Sequence, residues 1–257
     1  MKHFHQTLPR SRRCFLQGTS LLIASSVAGL ERALAFEDSI VTTAGLITDL
    51  HYADKDPSGT RYYRETLAKL DEAARQFEKP ETRPGFLVEL GDLVDAAENA
   101  ETELQYLDSI NGRLQKICDR RHYVLGNHCV DTLTKTEFLG QVKQERSFYS
   151  FDEAGFHFIV LDACFRKDGE PYGRKNFQWT DTMLPEQELT WLENDLRVNS
   201  GPTIVFVHQR LDVSDNHGVK NSAVVRKMLE THGKVTAVFQ GHSHQNDLKE
   251  INGIPYC

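Results

Sequence analysis

An α/β fold is predicted for this 257-residue chain from two observations: short apolar runs alternate with longer helical patterns, and most runs end in an aspartate, asparagine or histidine. The first run, Ala44 to Thr48, is followed by Asp49-Leu50-His51. Tyr63, Leu67, Leu70, Ala74 and Phe77 then step by four and three, which places them on one face of a helix. Phe86 to Leu90 reads as a strand running into Gly91-Asp92, and Leu104, Leu107, Ile110, Leu114 and Ile117 mark the next helix. His122 to Leu125 leads to Gly126-Asn127-His128, and Phe156 to Leu161 is a further strand. The stretch from Arg166 to Leu184, with Gly169, Pro171 and Gly173, is too long for a simple connector. It reads either as a loop covering the site or as a surface insertion. A third helix starts at Pro185 with Leu189, Leu192 and Leu196 facing inward. Thr203 to Val207 ends at His208, Val235 to Phe239 leads to Gly241-His242-Ser243-His244, and Ile251 to Tyr256 is a candidate last strand.

Hydrophobic residues at 39% and charged residues at 26% exclude a disordered, collagen-like or multi-spanning chain. A domain of this size buries a core without disulfide staples. The net charge of −7 speaks against a stable nucleic-acid or anionic-membrane partner, since either repels it at long range. A small anionic substrate is admissible where local positive charge receives it.

Charge is unevenly spread. The first 35 residues carry Lys2, Arg10, Arg12, Arg13 and Arg32 against Glu31 alone, an apolar stretch from Leu21 to Leu30, and Ala33-Leu34-Ala35 as a small-x-small cleavage site. Ser11-Arg12-Arg13-Cys14-Phe15-Leu16-Gln17 resembles a twin-arginine motif. Residues 1–35 are therefore expected to be a signal peptide read by the twin-arginine export machinery. The working domain, 36–257, is expected in the periplasm or secreted, with no membrane attachment after cleavage. It has 222 residues at a net −11. Its cysteines, Cys118, Cys129, Cys164 and Cys257, form no C-x-x-C pair, so no structural zinc is indicated, and buried thiols or a disulfide both remain open.

In an open α/β sheet, ligands bind beyond the carboxyl ends of the strands, so the five strand-end groups are expected to converge on one rim. Together they resemble the calcineurin-like metallophosphoesterase superfamily, whose blocks stand here as Asp49/His51, Gly91/Asp92, Gly126/Asn127/His128, His208 and Gly241/His242/His244. The resemblance implies a four-layer α-β-β-α sandwich, the metallo-dependent phosphatase fold, with two divalent ions and a small phosphorylated substrate. Mixed oxygen and imidazole donors suit Mn, Fe or Zn. By resemblance, Asp49, His51, Asp92 and His244 hold one ion, and Asp92, Asn127, His208 and His242 the other. A hydroxide held between the ions is then the nucleophile. His128 is carried over as the catalytic residue at the leaving oxygen. Where an acidic residue usually follows Gly-Asn-His this chain has Cys129, so Asp131 is a candidate to orient His128, and the Cys129 thiol is either buried and inert or a potential ligand. His122, His157, His217 and His232 are read as structural or surface residues.

Asp49-Leu50-His51-Tyr52-Ala53-Asp54 followed by Arg61-Tyr62-Tyr63-Arg64 is similar to the branch of manganese-dependent ADP-ribose/CDP-alcohol diphosphatases. Arg61 or Arg64 could pair with a phosphate and Tyr62 could stack on a base, or the segment is an amphipathic helix start with its arginines in water. Arg210 either meets substrate phosphate or sits in a salt bridge. The expected activity is hydrolysis of phosphate esters or nucleotide-type diphosphates, with an alkaline-phosphatase-like monoesterase or a phosphodiesterase as alternatives. A non-catalytic envelope binding protein is a reading of another class, and it predicts lost ligands, whereas every position is filled. Only 13 residues follow His244, so a second sheet cut short at the C-terminus, with an exposed and aggregation-prone edge, is also expected.

Overall fold

The computed structural model describes residues 14–17, 20–24, 40–80 and 82–257. Strands β1 (Cys14–Gln17), β2 (Ser20–Ala24), β3 (Ile40–Ile47), β4 (Phe86–Glu89) and β5 (Arg121–Tyr123) form the first sheet in chain order. There β3, β4 and β5 run parallel, and β1 and β2 join antiparallel. The second sheet contains β6 (Tyr149–Glu153), β7 (Phe156–Val160), β8 (Thr203–Phe206), β9 (Val235–Phe239), β10 (Lys249–Ile251) and β11 (Ile254–Tyr256) in the order β10-β11-β9-β8-β7-β6. Its centre, β7, β8, β9 and β11, is parallel.

Side-chain alternation along the strands builds the layers. Phe86 and Val88 of β4 point to one face, where they meet Phe158, Val160, Ile204, Phe206 and Phe239 from the other sheet. Leu87, on the opposite face, packs under α1 (Thr66–Phe77), α2 (Ala100–Ile117) and α3 (Lys135–Val142). Ile159, Val205 and Val238 pack under α4 (Glu186–Val198) and α5 (Ser222–His232). The result is the four-layer α-β-β-α sandwich.

Local chemistry sets the element ends. Asn99 accepts the Thr102 N–H at 2.9 Å to start α2, Thr134 and Glu137 close a capping box on α3, and Gly233 ends α5 at φ 71°. A 3-10 turn over Tyr63–Glu65 precedes α1, which begins three residues later than the periodicity suggests. Pro185 is the cap residue before α4, which then runs from Glu186.

The structure departs from the sequence expectations in several elements. Strand β3 begins at Ile40, four residues before the apolar run, because backbone pairing with β2 extends it. Strand β6, α3 and α5 were not anticipated. The single strand expected over Ile251 to Tyr256 is a hairpin, since Asn252 and Gly253 take φ of 50° and 81°, the conformations of a two-residue turn. The second sheet does present an open edge at β10, but that edge is three residues long and carries exposed Lys249 and Glu250, features that blunt edge-to-edge pairing.

The leader expected over 1–35 overlaps β1 and β2. Its basic residues and the Ala33-Leu34-Ala35 site lie outside the described residues. Cys118, Cys129 and Cys164 are thiols, and burial pushes the Cys129 thiol well above its ordinary range, so it stays protonated and inert.

One buried acid ties stability to pH. Glu103 on α2 is fully buried, accepts the Ala97 N–H through Oε2 at 2.9 Å, and has no partner on Oε1. Burial pushes its pKa from 4.5 to about 7. The folded-state value is raised, so its contribution is fully present below pH 4.5 and lost as pH rises through 7. At about 1.4 kcal/mol per unit, the loss amounts to about 1 to 3 kcal/mol. Thermal melts of Glu103→Gln should therefore gain on the parent between pH 5 and pH 8, and a difference that does not change with pH would refute the assignment.

Candidate active site

The parallel strands of both sheets end at one rim. Asp49 and His51 follow β3, Asp92 follows β4, Asn127 follows β5, His208 follows β8, and His242 and His244 follow β9. Five of these seven residues, Asp49, His51, Asp92, His242 and His244, adopt positive φ between 45° and 73°. Each such non-glycine conformation costs about 1 to 3 kcal/mol and persists only where surrounding bonds enforce it. Here Asp49 N–H donates to Gly91 O at 3.0 Å, His51 N–H to Asp92 O at 2.7 Å, and the His242 N–H to both Asp49 carboxylate oxygens at 3.2 Å. The backbone turns at Gly126 and Gly241 lie so close to the site that a Cβ would meet Asp92 Oδ1 at 2.2 Å and Thr48 Oγ1 at 2.3 Å.

Donor atoms converge in two adjoining groups, Asp49/His51/His244 and Asp92/His208/His242, the ligand atoms within each lying inside 4.8 Å of one another. His51 Nε2 is 3.0 Å from His244 Nε2, and His244 Nε2 is 3.3 Å from Asp49 Oδ1. Asp92 stands between the groups, its Oδ2 3.7 Å from His51 Nε2 and 3.2 Å from His208 Nε2. Its Oδ1 accepts the His128 N–H at 2.8 Å.

These residues fit divalent cations on a structural test. Asn127 Oδ1 and His242 Nε2 are buried with no hydrogen-bond partner, and buried His208 Nε2 faces only the Asp92 carboxylate at 3.2 Å, the state expected of atoms placed for an ion. Meanwhile His208 Nδ1 is held by Leu90 O at 2.9 Å and His51 Nδ1 by Asp95 at 3.2 Å, so each ring turns its Nε2 inward. Burial works against charge on Asp92, yet His208, His128 and His51 keep its carboxyl well below the usual range. Burial likewise opposes charging of His208, but Asp92 and Asp49 raise it to about 9, whereas burial and the neighbouring His208 push His242 down to about 3.

A third group, His51/Asp95/His128, is better described as a relay. Both histidines turn Nδ1 to Asp95 Oδ2 at 3.2 Å, and Asp95 already has a cation in Lys55, whose Nζ donates to Oδ1 at 2.5 Å. His128 is thus oriented by Asp95, not by Asp131 as expected. Asp95 lies three residues beyond Asp92 in Gly91-Asp92-Leu93-Val94-Asp95, and that nearby second acid was the available signal. Burial opposes a charge on His128, but Asp92 and Asp95 together hold its pKa above the ordinary value.

Of the three arginines expected at the substrate, one is at the site. Arg61 lines a cleft of about 140 Å³ with Asp49, His51, His244, Tyr62 and Lys69. Its Nη1 lies 3.7 Å from Asp95 Oδ2. Arg64 instead points into solvent and pairs with Asp54 at 2.5 Å and Asp56 at 2.6 Å. Arg210 is buried and committed to Asp212 through two bonds of 2.9 and 2.5 Å and to Asp247 at 2.8 Å. With two carboxylates already on it, Arg210 is a buried salt bridge that fastens Asp247, beyond His244, to the loop after β8.

The sequence reading also passed over Lys69 in the cleft and two rings beside His242. Trp179 and His217 each lie 5.5 Å from the His242 ring. Trp179 belongs to the Arg166 to Leu184 stretch, so that stretch does reach the site. His217 was read as structural or surface and is neither remote nor buried. The other three leftover histidines have structural roles: His122 stacks on Phe151 at 3.8 Å, His157 bridges Asp152 and Asp195 at 2.7 Å each, and His232 sits at 3.5 Å from Thr203 Oγ1.

Paired oxygen and imidazole donor groups at the strand ends of two facing sheets are the architecture of a dinuclear metallohydrolase. Residues 42–246 match the calcineurin-like phosphoesterase family model, and the chain belongs to that family. It is 31% identical to a manganese-dependent ADP-ribose/CDP-alcohol diphosphatase of Xenopus laevis, across 79% of this chain and 75% of that one. In fold it is similar to a dimetal phosphatase from Danio rerio, with a TM-score of 0.71 at 20% identity over 84% of this chain and 86% of the other. It also matches phosphopantetheinyl hydrolase from Mycobacterium tuberculosis, with a TM-score of 0.52 at 14% identity over 83% and 86% of the two chains.

Proposed function

We propose that this chain is a manganese-dependent diphosphatase that hydrolyses nucleotide-type diphosphates. The observation that carries the reading is the pair of adjoining donor groups joined by Asp92, with unpartnered Asn127 and His242 atoms beside them. Asp49, His51, Asp92 and His244 would hold one ion, and Asp92, Asn127, His208 and His242 the other. When bound, such ions neutralise phosphoryl oxygens and make water nucleophilic at neutral pH. The chain's own groups supply the rest. Asp95 keeps the His128 ring turned so that Nε2 faces the reacting phosphate, where it can give a proton to the leaving oxygen. Arg61 and Lys69 place positive charge beside the first donor group, which receives a second phosphate despite the chain's net −7. The 31% identity to the Xenopus diphosphatase supports a diphosphate over a monoester.

Export belongs to the same proposal. The basic start, the apolar stretch and the Ala33-Leu34-Ala35 site support a domain, 36–257, delivered by the twin-arginine route to the periplasm or beyond.

The test is metal analysis of the purified protein, then hydrolysis with added Mn of ADP-ribose, a chromogenic phosphate monoester and a diester. Preferential turnover of ADP-ribose is expected. Preference for the monoester or the diester would replace the diphosphatase reading with that activity, and absence of both metal and turnover would overturn the enzyme.

A further inference from the structure

Tyr62 and Trp179 are the two large exposed aromatic side chains among the described residues, and they flank the site from different sides. Tyr62 sits on the Arg61 and Lys69 wall, next to Asp49, His51 and His244, and the Lys69 ammonium lies 5.4 Å from its ring centroid. That wall carries two cations held only loosely by acids, Lys69 3.6 Å from Glu65 and Arg61 3.7 Å from Asp95. Trp179 stands beside the other donor group, 5.5 Å from His242 and 5.4 Å from His217, so its neighbours are rings.

Trp179 is exposed without being loose. It lies inside a turn closed by the Asp181 N–H donating to Gln178 O at 2.8 Å. The hydroxyl of buried Tyr172 reaches the Asp181 and Gln178 carbonyls at 2.8 and 3.3 Å, and Tyr172 stacks on Phe177 at 3.9 Å. Bridges from Phe165 to Pro171 and Met183, and from Gly173 to Thr134, tie the segment to the body of the fold. An indole left 40% exposed on so braced a turn keeps a ring face open and pre-organised for a planar partner.

We propose that Trp179 is the seat of the substrate's nucleobase. Resting on the diphosphatase reading, this assigns a polarity: the nucleoside half lies on the Trp179 side of the donor groups and the distal phosphate on the Arg61 and Lys69 side. A stacked base is held by shape and polarisability, which an indole supplies, and a phosphate by charge, which the opposite wall supplies.

The chain has two tryptophans, so Trp191→Phe leaves Trp179 as the only one. In that variant, loaded with Mn, AMP should quench the fluorescence saturably and ribose 5-phosphate should not. Absence of quenching up to millimolar AMP overturns the seat, whatever the hydrolysis panel gives. Trp179→Ala should raise KM for ADP-ribose by about 5- to 150-fold, with recovery in Trp179→Phe and no change in inhibition by ribose 5-phosphate. Equal loss of ribose 5-phosphate inhibition would make Trp179 a structural residue, and loss of the AMP preference in Tyr62→Ala but not in Trp179→Ala would reverse the polarity. Failure of the diphosphatase reading shows separately, as ADP-ribose left intact while AMP still quenches.

Discussion

Asp92→Asn is expected to abolish both metal retention and turnover, the latter by about 10³-fold or more. The substitution keeps the size of the side chain and removes the carboxylate standing between the two donor groups, 3.7 Å from His51 Nε2 and 3.2 Å from His208 Nε2. A bridging ligand contributes several kcal/mol to the transition state through the charge it holds in place, and each 1.36 kcal/mol is a factor of ten in rate. The fold should survive, because the amide oxygen can still accept the His128 N–H. Elemental analysis together with steady-state rates decides the matter: a variant that keeps two ions per chain and the parental rate would remove Asp92 from the centre.

The next largest effect is expected at His128. On the role proposed for it, at the leaving group and not at the ions, His128→Ala should lower kcat by about 10² to 10⁴-fold while leaving the metal content unchanged. Asp95→Asn should follow it in direction with a smaller loss, since the amide still touches the ring but no longer fixes its tautomer. In this scheme Asp95 is a positioning residue. The readout that separates positioning from general weakening is the substrate: a substrate with a good leaving group, such as a nitrophenyl ester, should recover most of the rate in both variants. Loss of metal from His128→Ala would instead place the imidazole among the ligands.

The architecture was legible in the sequence wherever a strand is buried on both faces and ends in a polar residue. Runs such as Phe86 to Leu90 and Val235 to Phe239 cannot be read as anything but interior strands, and β9 occupies the expected residues. Strand β6 escaped because Tyr149-Ser150-Phe151-Asp152-Glu153 is only half-buried and lies at the sheet edge. Helix α3, eight residues long, owes its start to the Thr134 and Glu137 box more than to any apolar stripe. In α5, Val225, Met228 and Leu229 carried the helical spacing and were passed over, as was Asn252-Gly253 as a turn.

The seven strand-end donors were legible for the same reason as the strands, since topology alone brings them to one rim. Electrostatic commitment was not. Arg210 is held by Asp212, only two positions on, but the close spacing did not reveal the pairing, and its further contact Asp247 is 37 positions away; Arg64 met Asp54 and Asp56 through a loop whose path no periodicity describes. Lys69 and Trp179 lie on elements read for their apolar faces or their length, and what they touch depends on the folded path of the chain.

The donors are divided between the halves of the molecule: Asp49, His51, Asp92 and Asn127 come from the first sheet, His208, His242 and His244 from the second. No segment of the chain owns the cage. The last of its walls, His244, follows β9 of the second sheet, so ions that used all seven donors would need both sheets in place. Metal content in a preparation is then a count of molecules whose two halves have met.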